Sequence, residues 1–414
     1  MRILIWHGYL LHGTGSNTYT RELARALSLL GHQVTVLCQD PDSANVDLGG
    51  ARVVRPELIG PLPVFVLDSY KDAHPQILGR MDEADVREFV RVNADAVRAA
   101  GPADLLIANH VLLGGPVGAA SGEPFIVKAH GSELEFAMRG NAALCEWADE
   151  SLCTAKAVVA GSVHVADVLR ELLGPPPTQV HVIPPGVDLE RMRPQSRTEA
   201  LVALLAECSV DPPNPAASHD DRQPDANNAA RLAQFLAGDR PTVVYVGKLS
   251  QEKGVHLLLE ALRGLGTRAV VVGFGPERAR LESLADPDVL FTGPLEHRHL
   301  SHLWPLADVS VTPSMFPEAF GMVAAEAAAC GCPPLVARHS GLAEIAAALD
   351  TAYPPHLSGL TSFDSGSASD LRAKLSAVLA LPSDEWRVLT ASARRAAELN
   401  WGWETVARRI LALA

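Results

Sequence analysis

The sequence predicts an α/β protein of two doubly wound parallel-sheet domains. Three observations carry this. The chain has 414 residues, too many for one ordinary core and enough for two domains. Short runs rich in Val, Ile and Leu, without strict alternation, recur between helical patterns, as in a parallel sheet covered on both faces. The strand–helix rhythm breaks once, over residues 194–240, and then restarts.

The elements follow in order. "RILIWHG" reads as a buried first strand; its apolar run is too short for a signal peptide and no A-x-A site follows. "SNTYTRELARALSLLGH" is an amphipathic helix closed by Gly31, and "QVTVLCQD" is the next strand. "VFVLDSY", "ADLLIANH", "PFIVKAHG", "AVVAGS" and "VHVIPPGVD" are further strands. "RTEALVALLAEC" predicts a helix, whereas "DPPNPAASHDDRQPDANNA" lacks an apolar period and reads as a flexible insertion near a domain boundary. "TVVYVGK", "RAVVVGFG", "DVLFTG", "ADVSVTP" and "PPLVAR" are strands of the second half. "GVHLLLEALRGLG" and "PERARLESLA" are helices, the latter with Pro276 in its first turn. The expected domains are 1–193 with a C-terminal segment 400–414, a linker or insertion 194–240, and 241–399.

Composition narrows the function. Hydrophobic residues make up 48% and charged residues 20%, as in a folded enzyme. The net charge of −13 argues against nucleic acid as a partner. Six cysteines without a C-x-x-C pair point to reduced thiols in a cytoplasmic protein and not to a zinc site. No apolar run reaches the ~20 residues of a membrane span. Arg87, Arg91 and Arg98 fall on one predicted helix among acids, which fits a solvated face better than a membrane-binding one.

The chemistry concentrates in the second half. In "MFPEAFGMVAAEAAACGCPP", Glu326 stands in a run that is apolar on every side and hence buried. A buried carboxylate needs partners. A basic side chain of the same domain and the vicinal hydroxyls of a ribose both qualify. Glu318 precedes Phe320-Gly321, where a helix begins. It either complements that helix N-terminus or binds a polar ligand there. The backbone N–H groups of Phe320, Gly321 and Met322 would form an anion site, with Gly321 allowing close approach. "VGKLSQEKG" sets Lys248 and Lys253 after a strand, either as solvated cations or as phosphate ligands; it is not a P-loop. "VVGFGPER" puts Gly273 and Gly275 at another strand end, as a plain turn or as backbone packed on a flat base.

Taken together these segments resemble the family 4 glycosyltransferases, retaining enzymes of the GT-B fold. "GTGSNTYTRELARAL", "GH", "HGSELE", "IPPGVDLERMRP", "VGKLSQEKG", "VVGFGPE", "FTGPLEHRHLSHLWPLADVSVTPS", Glu318 to Glu326 as E-x7-E, and "HSGLAEI" stand in the family's order. They span the chain except 194–240 and 349–369.

The resemblance implies two Rossmann-like domains facing a cleft, with the last helix crossing back to the N-terminal domain and Trp403 anchoring it. It implies a nucleotide-sugar donor and a hydroxyl acceptor, whether small molecule, glycan or lipid-linked. Glu326 would bind ribose; Glu318 and the Phe320–Met322 amides the sugar; Lys248 and Lys253, with Gly15, the diphosphate. Gly293 to Leu295 would face the base, uridine before guanosine, Gly275 would belong to the donor site, and His130 would lie near the reacting sugar. Two lysines and a helix N-terminus would replace a metal, so neither metal nor other cofactor is expected. The acceptor would attack from the leaving group's side, with a phosphate oxygen taking its proton.

The chain departs from the family pattern at Lys248, usually Arg, at Ala319, usually Pro, at Ser340-Gly341, usually a glycine pair, and at Gly13-Thr14-Gly15. The other readings are an epimerase or phosphorylase of the same fold, and an NAD-dependent oxidoreductase. The last would use "GTGSNT" with Asp40, but Thr18 replaces the third glycine of its motif. A binding protein with a dead site is disfavoured because the key charges are present.

Overall fold

The structure is a computed structural model, and it describes residues 1–58, 60–66, 74–212, 214 and 222–414. It divides into two compact units, Met1–Gly186 with Trp403–Ala414, and Val187–Gly402.

In the N-terminal unit the strands are β1 (Arg2–Trp6), β2 (Gln33–Leu37), β3 (Arg52–Val54), β4 (Leu62–Val64), β5 (Pro75–Ile77), β6 (Leu105–Asn109), β7 (Phe125–Ala129), β8 (Val158–Ala160) and β9 (Val180–Val182). The main sheet has the order β3-β2-β1-β6-β7-β8-β9, all parallel, and β4 pairs with β5 separately. Its helices are α1 (Gly15–Leu29), α2 (Glu83–Ala99), α3 (Gly114–Ser121), α4 (Ala142–Leu152) and α5 (Val163–Leu173). The central strands are buried along nearly their whole length, which is why their sequences run apolar instead of alternating. The expected strand 64–70 is seen only at its start in β4, and most of it lies outside the described residues.

In the C-terminal unit α6 (Arg197–Ser209) and α7 (Asn228–Phe235) precede β10 (Thr242–Val246), α8 (Val255–Leu262), β11 (Arg268–Val272), α9 (Arg278–Leu284) and β12 (Val289–Phe291). Then come α10 (His297–Leu303), β13 (Val309–Thr312), α11 (Met322–Ala329), β14 (Pro334–Ala337), α12 (Ser340–Ala352), β15 (Ser362–Phe363), α13 (Ala368–Leu379) and α14 (Ser383–Asn400). The sheet order is β12-β11-β10-β13-β14-β15, again parallel.

Strand order reverses between β1 and β6 in the first sheet and between β10 and β13 in the second. Loops at such a switch point, at the C-terminal strand ends, form the ligand crevice of an open α/β sheet.

Two differences from expectation have local causes. The described parts of 194–240 are not a free linker: Ser196 closes a capping box on α6, and α6 and α7 contribute Leu204 and Leu232 to the C-terminal core. The part of the insertion at 213 and 215–221 lies outside the described residues. The chain leaves the C-terminal unit at Gly402, not at residue 399, because α14 runs on to Asn400 before Trp401-Gly402 breaks it. The last helix, α15 (Trp403–Leu411), packs in the N-terminal unit. Trp403 lies edge-on to Tyr19, with centroids 5.5 Å apart, and against Gly186, where a Cβ would be 2.4 Å from the indole.

Candidate donor site and the histidine cluster

The predicted lysine and glutamate segments occupy the loops after β10 and β13, the two strands that flank the switch point of the C-terminal sheet. The loops are stitched together. The Glu252 carbonyl accepts from Met315 N (2.7 Å) and Phe316 N (3.3 Å). Gly254, at φ +67°, brings its Cα so near the other loop that a Cβ would be 2.0 Å from the Pro313 carbonyl oxygen. Across this seam the Lys253 ammonium donates to Glu318 Oε1. Both side chains stay partly exposed, 29% and 22%, so the pair is open to a ligand. Lys248 is exposed and forms no ion pair among the described residues. Its loop is held by its own carbonyl, which accepts from the Tyr245 hydroxyl at 2.9 Å.

Glu326 lies in α11, and both readings of its partner bear on the result. Its Oε1 accepts from His297 Nε2 at 3.1 Å, a donor from the first turn of α10. One histidine hydrogen bond leaves acceptor capacity on the carboxylate. The rest of α11 is alanine-rich and buried, as its sequence requires. At its start the N–H groups of Phe320, Gly321 and Met322 make no hydrogen bond among the described residues. The Phe320 ring is buried against Trp401, so only its backbone faces a ligand. Gly321 sits at φ +118°, and a Cβ there would be 2.7 Å from Leu342.

The glycine turn has a backbone role. At Gly273 a Cβ would be 1.8 Å from the Gly247 carbonyl oxygen, and at Gly275 it would be 2.4 Å from that of Leu249. Leu249 N donates to the Phe274 carbonyl (2.7 Å) and Glu277 N to that of Leu249 (2.9 Å). These glycines let the loop after β11 lie on the lysine loop. Helix α9 begins at Arg278, two residues after Pro276. The Gly293–Leu295 turn is packed by the insertion: a Cβ on Gly293 would be 2.7 Å from Asp225 Oδ1. Asp225 is gripped by both terminal nitrogens of Arg278 (2.8 and 2.6 Å) and by Arg231 (3.2 Å). Leu295 is buried.

In the N-terminal unit Gly15 is the first residue of α1, which Thr14 caps through Asn17 N. His130 follows β7. Its Nε2 lies 2.7 Å from Asn109 Oδ1, and since Asn109 Nδ2 donates to the Trp6 carbonyl, the histidine is the donor in that pair. Its Nδ1 is therefore the lone-pair nitrogen. Burial, with help from His110 and Lys128, holds the His130 pKa well below the usual imidazole range. Its backbone N–H is already spent on Glu133 Oε1 at 2.9 Å. The ring is thus a neutral hydrogen-bond acceptor, and neither a cation nor a proton donor toward a ligand.

Behind it lie His7 and His110. His110 stacks obliquely on His130, centroids 4.6 Å apart, and donates from Nδ1 to Glu133 Oε2 at 3.2 Å. Burial alone would raise the Glu133 pKa, but His110 and backbone amides hold it below the usual carboxylate value. Burial lowers His7 to about 3 and Lys128 to about 7. His110 adopts φ +70° at the end of β6, a left-handed conformation uncommon away from glycine.

Several competing assignments lose their footing. Both Asp40 oxygens accept backbone N–H groups, from Leu11 and Asp42, each at 2.8 Å, and the side chain is buried, so Asp40 braces a loop. No Asp-x-Asp metal motif was expected, yet two such triplets occur, 40–42 and 286–288; Asp40 and Asp42 belong to the loop just described, and Asp288 is paired with Arg240 at 2.9 Å. Cys208, Asp211 and His299 form the one group of metal-ligand types among the described residues. Their chemistry does not fit a metal. Burial pushes the Cys208 thiol up to about 12, and the Arg298 guanidinium already sits on Asp211. His299 Nδ1 accepts from Glu296 N, so its Nε2 bears the proton it gives to Asp211. On α2, Arg87, Arg91 and Arg98 are all paired with acids of the same helix, which leaves no bare basic face. All six cysteines are free. No described helix is long and apolar enough to cross a membrane.

Sequence reasoning did not single out His7, His110, Glu133, His297, His339 or Ser340 as site residues. All six stood inside quoted segments, but only their partners reveal what they do, such as His130 for Glu133 and Glu326 for His297.

Comparison with known proteins agrees with the fold. Residues 13–191 match the family model described as Glycosyltransferase Family 4, and residues 228–394 that described as Glycosyl transferases group 1. A D-inositol 3-phosphate glycosyltransferase of Xylanimonas cellulosilytica is 29% identical over 423 residues, covering 96% of this chain and 90% of its own. A GDP-mannose-dependent alpha-(1-6)-phosphatidylinositol dimannoside mannosyltransferase of Mycobacterium tuberculosis is 36% identical over 195 residues, 44% of this chain and 46% of its own. Among solved structures, a sucrose-phosphate synthase from Thermosynechococcus elongatus covers 100% of this chain and 98% of its own, with a TM-score of 0.71 and 22% identity. Anabaena Alr3699/HepE, solved with UDP and glucose, has the same coverage and TM-score at 17% identity. At such identities the structural likeness shows the fold alone.

Proposed function

The chain belongs to the family 4 glycosyltransferases and has their GT-B fold, and from that premise we propose that it moves a sugar, with retention at the anomeric carbon, from a uridine-diphosphate sugar to a hydroxyl of a small polyol phosphate, without a metal ion. The observation that carries the reading is the Lys253–Glu318 seam at the switch point, beside the open N-terminus of α11.

In this reading Lys253 and Lys248 neutralise the diphosphate, and the α11 amides add positive potential where leaving-group charge grows. Glu318 and the Phe320–Met322 backbone hold the sugar. Glu326, oriented by His297, accepts from the ribose hydroxyls. The Gly293–Leu295 turn faces the base, and Gly275 shapes the loop beneath it. The neutral His130 accepts a hydrogen bond from a substrate hydroxyl through Nδ1. The anomeric C–O bond to the diphosphate breaks, the acceptor oxygen bonds to the anomeric carbon from the same face, and its proton passes to the departing phosphate oxygen. The polyol phosphate acceptor rests on the inositol phosphate transferase named above, and guanosine is the second choice of base.

The test is nucleoside-diphosphate release from UDP-glucose, UDP-N-acetylglucosamine and GDP-mannose, with inositol 3-phosphate as acceptor and with or without EDTA. Acceptor-dependent release that EDTA leaves intact, with the product's anomeric proton showing the donor's configuration, supports the reading. Release abolished by EDTA, or an inverted product, contradicts it.

A further inference from the structure

We propose that His339 and Ser340 form a directed hydrogen-bond relay that positions Glu318 for transfer. The proposal rests on the donor-site reading above.

The direction of each bond is fixed by its chemistry. Glu318 N–H can only donate, and it lies 2.9 Å from Ser340 Oγ. The Ser314 carbonyl can only accept, and His339 Nε2 lies 2.6 Å from it. His339 Nε2 therefore carries the proton, and in the neutral ring Nδ1 is an acceptor. Ser340 Oγ stands 3.0 Å from that Nδ1, so its hydroxyl proton points there. The relay runs from Glu318 N–H through the serine hydroxyl and the imidazole to the Ser314 carbonyl. It ties both ends of the 314–318 loop to the start of α12, and Gly341 N closes it with a 3.0 Å bond to the Glu318 carbonyl. Gly341 permits this approach: a Cβ there would be 2.6 Å from Phe320 Cα.

Ser340 itself sits at φ +47°, a left-handed conformation that glycine adopts freely and serine does not. The resemblance expects glycine at this position. A side chain kept under backbone strain is explained when its hydroxyl has work, and here the hydroxyl bridges two groups that have no other partner among the described residues. The loop it holds carries the carboxylate that meets Lys253.

The experiment uses the full chain with Ser340→Ala and Ser340→Gly. Alanine removes the hydroxyl and keeps the strain; glycine removes both. Three readouts are taken: hydrogen exchange at the Glu318 amide, calorimetric Kd for UDP and GDP, and kcat with a nucleotide sugar. We expect both variants to speed Glu318 exchange and to lower kcat by roughly tenfold, the effect of one lost hydrogen bond at the reacting group. The Kd should stay within about twofold, since Glu326 and the lysine loop are untouched. Glycine should melt higher than alanine.

Unchanged exchange in both variants overturns the relay. Faster exchange with kcat unchanged overturns its part in transfer, as does a glycine variant as active as wild type while alanine is slow. A wild-type chain that binds neither nucleotide and turns over no nucleotide sugar instead overturns the donor-site reading, and the relay's part in transfer with it.

Discussion

Lys253 and Glu318, 65 residues apart in sequence, close an ion pair between the two loops at the switch point of the C-terminal sheet. Each is the other's counter-ion. A bound diphosphate offers Lys253 more charge than one carboxylate does, so binding loosens the pair and frees Glu318 for the sugar. Lys253→Ala is expected to lower kcat/KM by more than ~100-fold, about 2.7 kcal/mol of transition-state stabilisation. Steady-state kinetics with a nucleotide sugar checks this; a loss under tenfold would remove Lys253 from the site.

Glu326 gives a sharper contrast. Glu326→Gln keeps the shape but weakens acceptance from ribose hydroxyls, and turnover should fall by more than ~100-fold. His297→Ala leaves the carboxylate in place without its orienting donor, and nucleotide affinity should fall by about tenfold, the effect of a hydrogen bond to a charged group. Calorimetric titration of both variants with UDP and GDP separates the two effects.

The glycine seam predicts a stability effect without any change of charge. Gly273→Ala places a Cβ 1.8 Å from the Gly247 carbonyl oxygen at φ +141°. We expect a loss of about 3 kcal/mol or more in the C-terminal unit. Urea unfolding measures it, and exchange of the 247–250 amides should rise with it.

Acid should destabilise the N-terminal unit early. Burial lowers the His7 pKa to about 3, while an unfolded histidine titrates near 6.5. Below 6.5 the unfolded chain binds a proton that the native one refuses, so stability falls as pH falls. Between pH 7 and 5 the loss from His7 is about 2 kcal/mol, and the lowered His130 acts in the same direction. Unfolding curves for wild type and His7→Gln at both pH values check this: the variant should show the smaller drop.

Much of this was legible in the sequence. Strand runs such as "TVVYV" and "RAVVV" matched the observed strands, because two-sided burial forces continuous apolar residues. The loops carrying Lys253 and Glu318 could be placed because motif order and strand ends are local properties. What could not be read were partners distant in sequence. Nothing near Asp225 signals that it grips Arg278, 53 residues on, and that pairing is what turns an apparent linker into part of the C-terminal unit. His297 looked like one histidine among three in "EHRHLSH" until the fold set it beside Glu326. Ser340 was visible as a departure from glycine, but its meaning lay in a backbone angle.

In the proposed function the C-terminal unit binds a nucleoside diphosphate through lysines and a helix N-terminus in place of a metal. The most direct measurement is calorimetric titration of the wild-type chain with UDP and GDP in EDTA, repeated with Lys253→Ala. We expect saturable binding of one nucleotide in EDTA, unchanged by added Mg²⁺ and weakened at least about tenfold in the variant. Binding that appears only with Mg²⁺, or that Lys253→Ala leaves intact, would contradict it.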